Sequence, residues 1–396
     1  MQREKMKVVD LFAGCGGLSK GFENAGFQLV GAFEFWEVAA KCYRKNFRHP
    51  VFSTDLSQIS KAVKEISTLK PEVIIGGPPC QDFSHAGKRV EADRANLTEA
   101  YANIIKEINP KYFLMENVDR AQKSHAYGIA RKIFKEAGYG LTEIVLDASF
   151  CGVPQKRKRF FCMGIKGKDD GFALDLISQN LYTKEMTLRD YFGNSLGFEY
   201  YYRHPRNYDR RGIFSIDEPS PTIRGVNRPV PKGYPGHPND ACALNEEIRA
   251  LTLLERALIQ TFPVDFKWEG SKTEIEQMIG NAVPVKLAEF VAKILMSFIK
   301  DDAMVNLSQY SVGKSIFLSW VEQKYHYSER TLSDTYSRVQ RAFKILQPSK
   351  SIDDFYLYQL ERCVEFQCLS SSVRSQIRKA ISLLIEYSQN SYLQAV

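Results

Sequence analysis

Short apolar runs alternate with stretches of helical periodicity over the first 165 residues of the chain. The apolar runs lie at 7–12, 27–34, 72–76, 111–115, 141–146 and 159–165. Between them, apolar residues recur at helical spacing near 18–25, 37–46, 57–68, 98–108 and 125–137. This alternation predicts an α/β fold in which a parallel-rich sheet is covered by helices on both faces. Ligands of such sheets bind at the carboxyl ends of the strands, so the residues after each run are the candidates for chemistry.

The first three strand ends carry residues suited to a nucleotide-like ligand. The first run leads into "DLFAGCGG", where Gly14 and Gly16 let the main chain approach a ligand closely before a helix begins. Glu34 ends the second run, where nucleotide-binding folds place an acid that binds ribose hydroxyls, and Trp36 offers a stacking face. The segment "VFSTD" (51–55) is interpreted as a third strand, which ends at Asp55. Each acid taken alone is typical of a solvated loop, but three such ends in a row favour an adenosyl ligand.

The fourth and fifth strand ends supply a nucleophile and an acid. The segment "EVIIGGPPCQDFS" (72–84) places Cys80 after two prolines that fix the main chain and before polar residues. A thiol in this position is typical of a nucleophile, although cysteine is more often a buried structural residue. Glu116 ends an apolar run in "FLMENV" (113–118), where partial burial would raise its pKa and let it hold a proton. The pair suits addition of a thiolate to an electron-poor ring whose nitrogen is protonated.

Composition adds three constraints. At 396 residues the chain exceeds the size at which one core stops growing, so a main domain with a smaller one is expected. The formal charge of +8 favours an anionic partner such as nucleic acid, though basic proteins without one are common. The eight cysteines have no metal-binding spacing, and the N-terminal residues form neither a signal sequence nor a membrane span. We therefore expect no metal, free thiols and a cytoplasmic location.

Five motifs follow one another along the chain: "DLFAGCGG", "GGPPCQDFS", "ENV", "QKRKR" (155–159) and "QMIGNAVP" (277–284). In this order, and over about 300 residues, they resemble the C5-cytosine-specific DNA methyltransferase family of the bacterial restriction-modification type. The resemblance implies a Rossmann-like, S-adenosylmethionine-dependent methyltransferase sheet. It also implies the activity of a DNA (cytosine-5-)-methyltransferase, with S-adenosyl-L-methionine as methyl donor and a cytosine flipped out of double-stranded DNA as substrate.

The resemblance assigns roles to individual residues. Cys80 would attack C6 of the flipped cytosine and form a covalent adduct, while Glu116 would hydrogen-bond N3 and the exocyclic amine. Arg157 and Arg159 match the paired arginines that hold the base and Glu116 in place. Methyl transfer to C5 would precede loss of the C5 proton and elimination of Cys80. The donor-binding positions would be Phe12, Gly14, Gly16, Glu34, Trp36, Asp55, Pro78, Asn281 and Val283.

Two further segments are expected to contact DNA. The loop 82–94 resembles the mobile loop of the family, with Ser84, Lys88 and Arg89 as candidates for phosphate contacts; a plain solvated loop is the alternative. Residues 166–264 would form the target-recognition region, whose centre at 201–238 is rich in Pro, Gly and Arg. By resemblance it would read a short palindrome with a CG-containing core, and a solvated arginine-rich surface is the alternative. Its candidates for DNA contact are Arg210, Arg211, Thr222, Arg224 and Arg228.

The resemblance ends near Lys300, and helical periodicity at 315–346 and 370–389 predicts a helical C-terminal extension over residues 305–396. Residues 1–165 with 265–300 would form the catalytic domain that precedes it. The extension resembles the helical core-binding domain that clamps DNA in tyrosine recombinases. We expect either an auxiliary module that contacts DNA or mediates dimerisation, or a helical appendage packed on the main domain.

Three functions are compatible with the sequence. The leading hypothesis is a DNA cytosine C5 methyltransferase that protects host DNA, with a cognate restriction endonuclease acting on the same site without direct contact. The second is methylation of tRNA by the same Cys and Glu chemistry, although the Cys-Phe-Thr segment of that branch is not found in the sequence. The third is a non-catalytic DNA-binding regulator, which intact Cys80, Glu116 and Arg159 argue against. None of the three involves a membrane.

Overall fold

The computed structural model describes residues 5–79, 97–205, 207, 209–308, 314–346 and 354–394. The chain forms two compact units, one covering Glu4–Leu295 and one that begins at Met296. Several residues singled out from the sequence lie outside the described residues, namely Cys80 and the loop 82–94 with Ser84, Lys88 and Arg89.

A seven-stranded sheet forms the centre of the first unit. Its strands are β1 (Lys7–Leu11), β2 (Gln28–Phe33), β3 (Val51–Phe52), β4 (Val73–Gly76), β5 (Tyr112–Val118), β6 (Tyr139–Asp147) and β8 (Lys158–Lys166). Their order is β3-β2-β1-β4-β5-β8-β6. The first five strands are parallel, and β8 is antiparallel to both of its neighbours. The predicted apolar runs are thus confirmed as strands of one mostly parallel sheet.

The direction of β8 follows from the short connection that leads into it. Only residues 148–157 join β6 to β8. A parallel connection needs a crossover of about a dozen or more residues, usually with a helix, so two adjacent strands joined this closely pair antiparallel. As a result, the start of β8 lies beside the carboxyl end of β5, where ligands bind.

Helices cover both faces of the sheet, as the alternation predicts. One face packs against α3 (Ile59–Thr68), α4 (Leu97–Ile108) and α5 (His125–Glu136). The other face packs against α2 (Glu37–Asn46), α9 (Lys272–Asn281) and the beginning of α10 (Val285–Ser308). Side chains alternate along each strand, so Phe33 joins the first of these two cores and its neighbour Ala32 joins the second. Helix α1 (Gly17–Asn24) begins directly after the glycine-rich turn that follows β1.

The region between β8 and α9 is built of short elements. They are the helices α6 (Leu174–Asn180), α7 (Leu188–Phe192) and α8 (Leu253–Ile259) and the strands β9 (Tyr200–Tyr202), β10 (Ile213–Ser215) and β11 (Ser220–Pro221). Strands β9 and β10 pair antiparallel, while β11 pairs in parallel with β7 (Gln155–Lys156). Because β7 immediately precedes β8, this pairing attaches the arginine-rich region to the chain that enters the sheet.

The second unit is helical, as the periodicity predicts. After α10 it contains α11 (Lys314–Tyr325), α12 (Glu329–Ile345), α13 (Asp354–Arg362), α14 (Val364–Gln367) and α15 (Ser371–Gln394). It has its own hydrophobic core, which includes Val321, Val339 and Ile381. Helix α12 begins with a side-chain cap, because the Ser328 side chain accepts a hydrogen bond from the Thr331 amide. Within the described part of the chain, no helix is both long enough and apolar enough to cross a membrane.

Candidate active site

A cavity of about 1070 Å³ opens at the carboxyl ends of β1, β2, β4 and β5. The loops after these strands and the C-terminal end of α9 form its walls. Residues that are distant in sequence thus meet at the edge of the sheet where ligands of α/β folds bind. Ten of the residues singled out from the sequence line this cavity: Phe12, Gly14, Glu34, Trp36, Asp55, Pro78, Glu116, Arg159, Asn281 and Val283.

The glycine-rich turn after β1 is held against the segment that follows α9. A side chain at Gly17 would collide with the carbonyl oxygen of Val283, so only glycine permits this approach. Gly16 has a left-handed conformation (φ 99°), and a side chain there would collide with the ring of Phe47. Gly14 lines the cavity, whereas Gly16, also predicted as a donor-binding position, packs against the rings of Phe47 and Tyr43.

Glu34 is fixed by two main-chain amides at the end of β2. The Gly14 amide donates to Oε2 at 2.7 Å, and the Trp36 amide donates to Oε1 at 2.7 Å. Burial raises the pKa of this carboxyl, and the amide hydrogen bonds oppose that shift. Both oxygens are therefore oriented by the fold while each keeps a further lone pair for a ligand. This geometry differs from that of a solvated loop acid.

Two other parts of the chain complete this side of the cavity. Asp55 follows β3 and accepts a hydrogen bond from the Ser57 amide at 2.9 Å. Asn281 ends α9 with an exposed side chain, and Val283 is buried two residues later. The loop after β3 thus contributes a polar side chain to the cavity wall. The segment after α9 contributes one polar and one apolar side chain.

Glu116 and Arg159 form an ion pair on the opposite wall. In the antiparallel pair of β5 and β8, Arg159 lies opposite Val118, so its side chain reaches Glu116 diagonally on the same face. Arg159 Nε donates to Glu116 Oε1 at 2.9 Å, and the two side chains are 13% and 11% exposed. Burial raises the pKa of Glu116, and the guanidinium groups of Arg159 and Arg157 oppose that shift. The carboxyl is thus oriented toward the cavity, and its burial favours the protonated form.

Asn117 ties the end of β5 to the turn after β4. Its buried side-chain amide donates to the carbonyl oxygen of Pro78 at 3.0 Å, and its side-chain oxygen accepts from the Val118 amide at 2.8 Å. Pro78 lies two residues before Cys80, which is outside the described residues. The turn that leads to the candidate nucleophile is therefore fixed beside the candidate acid.

Arg157 lies in different surroundings from Arg159, although the resemblance pairs the two. Its guanidinium is buried and donates to the carbonyl oxygens of Ile223 at 2.9 Å, Gly280 at 2.7 Å and Ala282 at 3.0 Å. These three acceptors belong to the recognition region and to the end of α9. Arg157 thus connects two segments of main chain, and contact with a flipped base stays a prediction.

Two of the recognition candidates lie near β10. Arg211 forms an ion pair with Glu218 and stacks on the ring of Phe214, with the guanidinium carbon 4.3 Å from the ring centre. Arg210 is exposed. The Arg211 side chain therefore supports the fold of the region, and the side chain of Arg210 is open to solvent.

The other three recognition candidates follow β11. Thr222 donates its hydroxyl to the Lys156 carbonyl at 2.7 Å, and Arg224 donates to the His204 carbonyl. Arg224 and the exposed Arg228 line a small basic notch together with Arg203, His204 and Arg256. Burial lowers the pKa of His204, and the charges of Arg228 and Arg224 lower it further.

Three residues of the site were not singled out from the sequence. Asp10 lies inside the first apolar run and is fully buried, yet it lines the cavity. Asn117 stands in the quoted "ENV" motif, where its neighbour Glu116 carried the chemical signal. Gln155 begins the "QKRKR" motif, and its side chain accepts from the Ile223 amide at 2.9 Å. A polar residue within an otherwise apolar strand run is the signal that could have identified Asp10.

The fold and the cavity define a class of α/β proteins that bind a nucleotide-like ligand at the strand ends. Comparison with known proteins identifies the family. The sequence profile of the C-5 cytosine-specific DNA methylase family matches residues 6–297, so the chain belongs to this family and is a DNA (cytosine-5-)-methyltransferase. The family and the fold imply methylation that depends on S-adenosylmethionine, and they imply DNA as the substrate.

Similar proteins agree with this family. The chain is 55% identical over 298 residues to Type II methyltransferase M.HindV of Haemophilus influenzae, a match that covers 75% of this chain and 98% of the relative. It is 53% identical over 304 residues to Type II methyltransferase M.HgiDI of Herpetosiphon aurantiacus, covering 76% and 98%. The crystal structure of S. pombe Dnmt2 methyltransferase shares the fold, with a TM-score of 0.58 and 20% identity over 75% of this chain and 99% of that one.

Proposed function

We propose that the cavity binds S-adenosylmethionine and a flipped-out cytosine of double-stranded DNA next to each other. The observation that carries the proposal is the Glu116–Arg159 pair, joined at 2.9 Å, in the same cavity as Glu34 and Trp36. Glu34 fits a ribose, because its amide-fixed oxygens can still accept two hydroxyl groups. Trp36 offers a flat face for the adenine ring. Phe12, Gly14, Asp55, Pro78, Asn281 and Val283 line the remaining donor site.

In this proposal Cys80 and Glu116 carry the chemistry. The Cys80 thiolate forms a bond to C6 of the cytosine while Glu116 gives a proton to N3, so negative charge does not accumulate on the ring. S-adenosylmethionine, when bound, supplies the methyl group that becomes attached to C5. Loss of the C5 proton to solvent then breaks the bond between Cys80 and C6, and the N3 proton returns to Glu116. The thiolate and the aromatic ring are both restored.

The arginines have different parts in the proposal. Arg159 keeps Glu116 aimed at the ring and compensates the cost of its burial. Arg157 holds the recognition region against the end of α9. It is therefore proposed as a positioning residue, because the end of α9 lines the cavity. The exposed Arg210 and Arg228 are available for guanine or phosphate contacts. Ser84, Lys88 and Arg89 of the loop 82–94 are proposed as phosphate contacts from the sequence alone.

The biological context is the protection of DNA from a restriction endonuclease. The relatives M.HindV and M.HgiDI carry the name Type II methyltransferase and match this chain along 98% of their length. We therefore propose a short palindromic target and a cognate endonuclease that acts on the same sequence without touching this protein.

The proposed function can be tested with labelled S-adenosylmethionine supplied to the purified protein with duplex DNA and, in parallel, with tRNA. We expect label on DNA alone, and bisulfite sequencing should map it to one cytosine of a recurring short motif. Cys80→Ser should abolish the label, because a hydroxyl is a far weaker nucleophile than a thiolate. Label on tRNA, or label on DNA that survives Cys80→Ser, would contradict the proposal.

A further inference from the structure

A row of four polar side chains runs from the cavity through the protein core. Ser19 of α1 lies with its Oγ 2.6 Å from Asp10 Oδ2 and 2.6 Å from the hydroxyl of Tyr43 on α2. The Tyr43 hydroxyl in turn lies 2.8 Å from Nε2 of His49, in the loop between α2 and β3. Asp10, Ser19 and Tyr43 are fully buried, whereas His49 is only half-buried. The row thus links a cavity-lining carboxyl to a side chain that reaches solvent.

The hydrogens in this row must all point the same way. The hydroxyls of Ser19 and Tyr43 each carry one hydrogen, so each can donate to one neighbour in the row only. If Asp10 is a carboxylate, His49 Nε2–H donates to Tyr43, Tyr43 to Ser19, and Ser19 to Asp10. If Asp10 is protonated on Oδ2 and donates to Ser19, the direction reverses and His49 Nε2 accepts. Reversal moves one proton from Asp10 to His49 through three short transfers.

The cavity end of the row has an acceptor that the protein leaves open. Asp10 Oδ1 is buried and has no hydrogen-bond partner among the described residues. Buried acceptors are normally paired, so an unpaired one at a cavity wall indicates a group that the ligand supplies. The neighbouring carboxyls of Glu34 and Glu116 repel negative charge, which favours a cationic donor here.

The charges around the row set its resting direction. Burial raises the pKa of Asp10 to about 8, the Ser19 hydrogen bond opposes the shift, and the charges of Glu34 and Glu116 add to it. Tyr101 of α4 also faces Asp10, and burial raises the pKa of that phenol. At the other end, burial lowers the pKa of His49, and Glu23 of α1 opposes this shift. Near neutrality Asp10 is therefore the protonated end and His49 the accepting end.

We propose that Asp10 Oδ1 accepts a hydrogen bond from the α-ammonium group of the bound methyl donor, and that binding reverses the Ser19–Tyr43–His49 row. This inference rests on the proposed function, because it requires that the cavity hold S-adenosylmethionine or its product. The ammonium group has N–H donors, whereas the sulfonium has none, so only the former can satisfy Oδ1. A cation at Asp10 favours the carboxylate. The released proton passes to Ser19 as the serine proton passes to Tyr43 and the tyrosine proton to His49 Nε2, and His49 then loses its Nδ1 proton to solvent.

Calorimetry with S-adenosylhomocysteine tests the cavity end of the row. This product analogue keeps the ammonium and lacks the sulfonium. Titrations at pH 7 in buffers of different ionisation enthalpy should show the release of about one proton per ligand bound. The isosteric Asp10→Asn variant should release almost none. As a control that needs no variant, 5′-methylthioadenosine lacks the ammonium and should bind to the wild-type protein without proton release. Equal release by both ligands, or by Asp10→Asn, would overturn the inference.

Nuclear magnetic resonance of ¹⁵N-histidine-labelled protein tests the solvent end. S-adenosylhomocysteine should change His49 Nε2 from an unprotonated to a protonated nitrogen, and Tyr43→Phe should abolish that change while the ligand still binds. His49→Gln identifies the signal. An unchanged His49 tautomer in a protein that binds the ligand would overturn the row while leaving the methyltransferase proposal intact. Failure of the wild-type protein to bind S-adenosylhomocysteine would instead contradict the proposed function itself.

Discussion

Asp10, Glu34 and Glu116 are carboxyl groups that line the cavity, and each has different partners. Glu34 is held by two main-chain amides, Glu116 by the guanidinium of Arg159, and Asp10 by the hydroxyl of Ser19. Hydrogen-bond donors and cations favour the ionised form, while burial favours the protonated form. The same chemical group can therefore bind hydroxyls in one place and hold a proton in another.

The ion pair of Glu116 and Arg159 in the cavity should matter more for activity than the more exposed ion pair of Glu143 and Arg131. Removing the guanidinium in Arg159→Ala leaves a buried carboxyl without its partner and free to rotate, so we expect kcat for DNA methylation to fall by about 100-fold. Arg131→Ala is the matched control, because Arg131 Nε also meets a glutamate oxygen, that of Glu143, at 2.9 Å but is 43% exposed. Single-turnover rates of the two variants compare the sites. Equal effects would show that the pair near Glu116 has no special role.

At Asp10, burial should make stability depend on pH. The unfolded chain releases this proton near pH 3.8 and the folded protein only near pH 8, so the folded state binds more protons between these values. The free energy of unfolding of the ligand-free protein therefore falls as the pH rises across this range, by up to about 1.4 kcal/mol per pH unit from this group. Asp10→Asn should flatten the dependence. Thermal unfolding between pH 5 and 8 measures it, with the exposed Asp169→Asn as control, and parallel curves for Asp10→Asn and wild type would contradict it.

Among the elements, the buried guanidinium of Arg157 joins the recognition region to the end of α9. Arg157 donates to carbonyl oxygens from both segments, and Gln155 beside it joins the Ile223 amide to the side chain of Gln260. The region that would read DNA is thus fixed to the helix whose end lines the cavity. A shift of either segment would break hydrogen bonds of Arg157.

Loss of Arg157 should destabilise the first unit strongly. Arg157→Ala removes the guanidinium donor from the buried carbonyl oxygens of Ile223 and Gly280, while Ala282 keeps a hydrogen bond from Gln260. Each buried acceptor left unpaired costs about 1–3 kcal/mol, so we expect the free energy of unfolding to fall by about 3–5 kcal/mol. In contrast, Arg249→Ala removes an exposed pair with Glu255 and should cost less than about 1 kcal/mol. Urea denaturation followed by tryptophan fluorescence measures both. An effect of Arg157→Ala as small as that of Arg249→Ala would refute the structural role of Arg157.

The elements differ in how far the sequence predicts them. Helix α2 spans residues 37–46 as its periodicity predicts, and Glu34 lines the cavity as expected from its place after β2. The direction of β8 was not predicted, because an apolar run has the same pattern in a parallel and in an antiparallel strand. The length of the connection before the strand is what determines its direction. The contacts of Arg157 join segments that are 66 and 123 residues apart, and the row from Asp10 to His49 crosses β1, α1, α2 and the loop after α2. No local pattern encodes such contacts, so they become visible only in the fold.

For the whole molecule, the family match and the division into units fall at nearly the same place. The match ends at residue 297, and the second unit begins at Met296. The two Type II relatives are covered over 98% of their length by about three quarters of this chain. The helical unit is therefore additional to what those methyltransferases contain, and methyl transfer should not require it.

Deletion of residues 305–396 should separate methyl transfer from DNA affinity. We expect the truncated protein to keep its single-turnover rate at saturating DNA, because the whole family match is retained. Its DNA affinity should fall, and the dependence of affinity on salt should become less steep, since each lost phosphate contact removes about one released counterion.

Within the full chain, Arg341→Gln with Lys344→Gln, two exposed cations of α12, should reproduce part of the effect. Lys324→Gln is the matched control, because Lys324 pairs with Glu386 at 2.6 Å. Unchanged affinity and salt dependence after truncation would exclude DNA binding by the helical unit, and a change of oligomeric state in the same experiment would assign it to dimerisation instead.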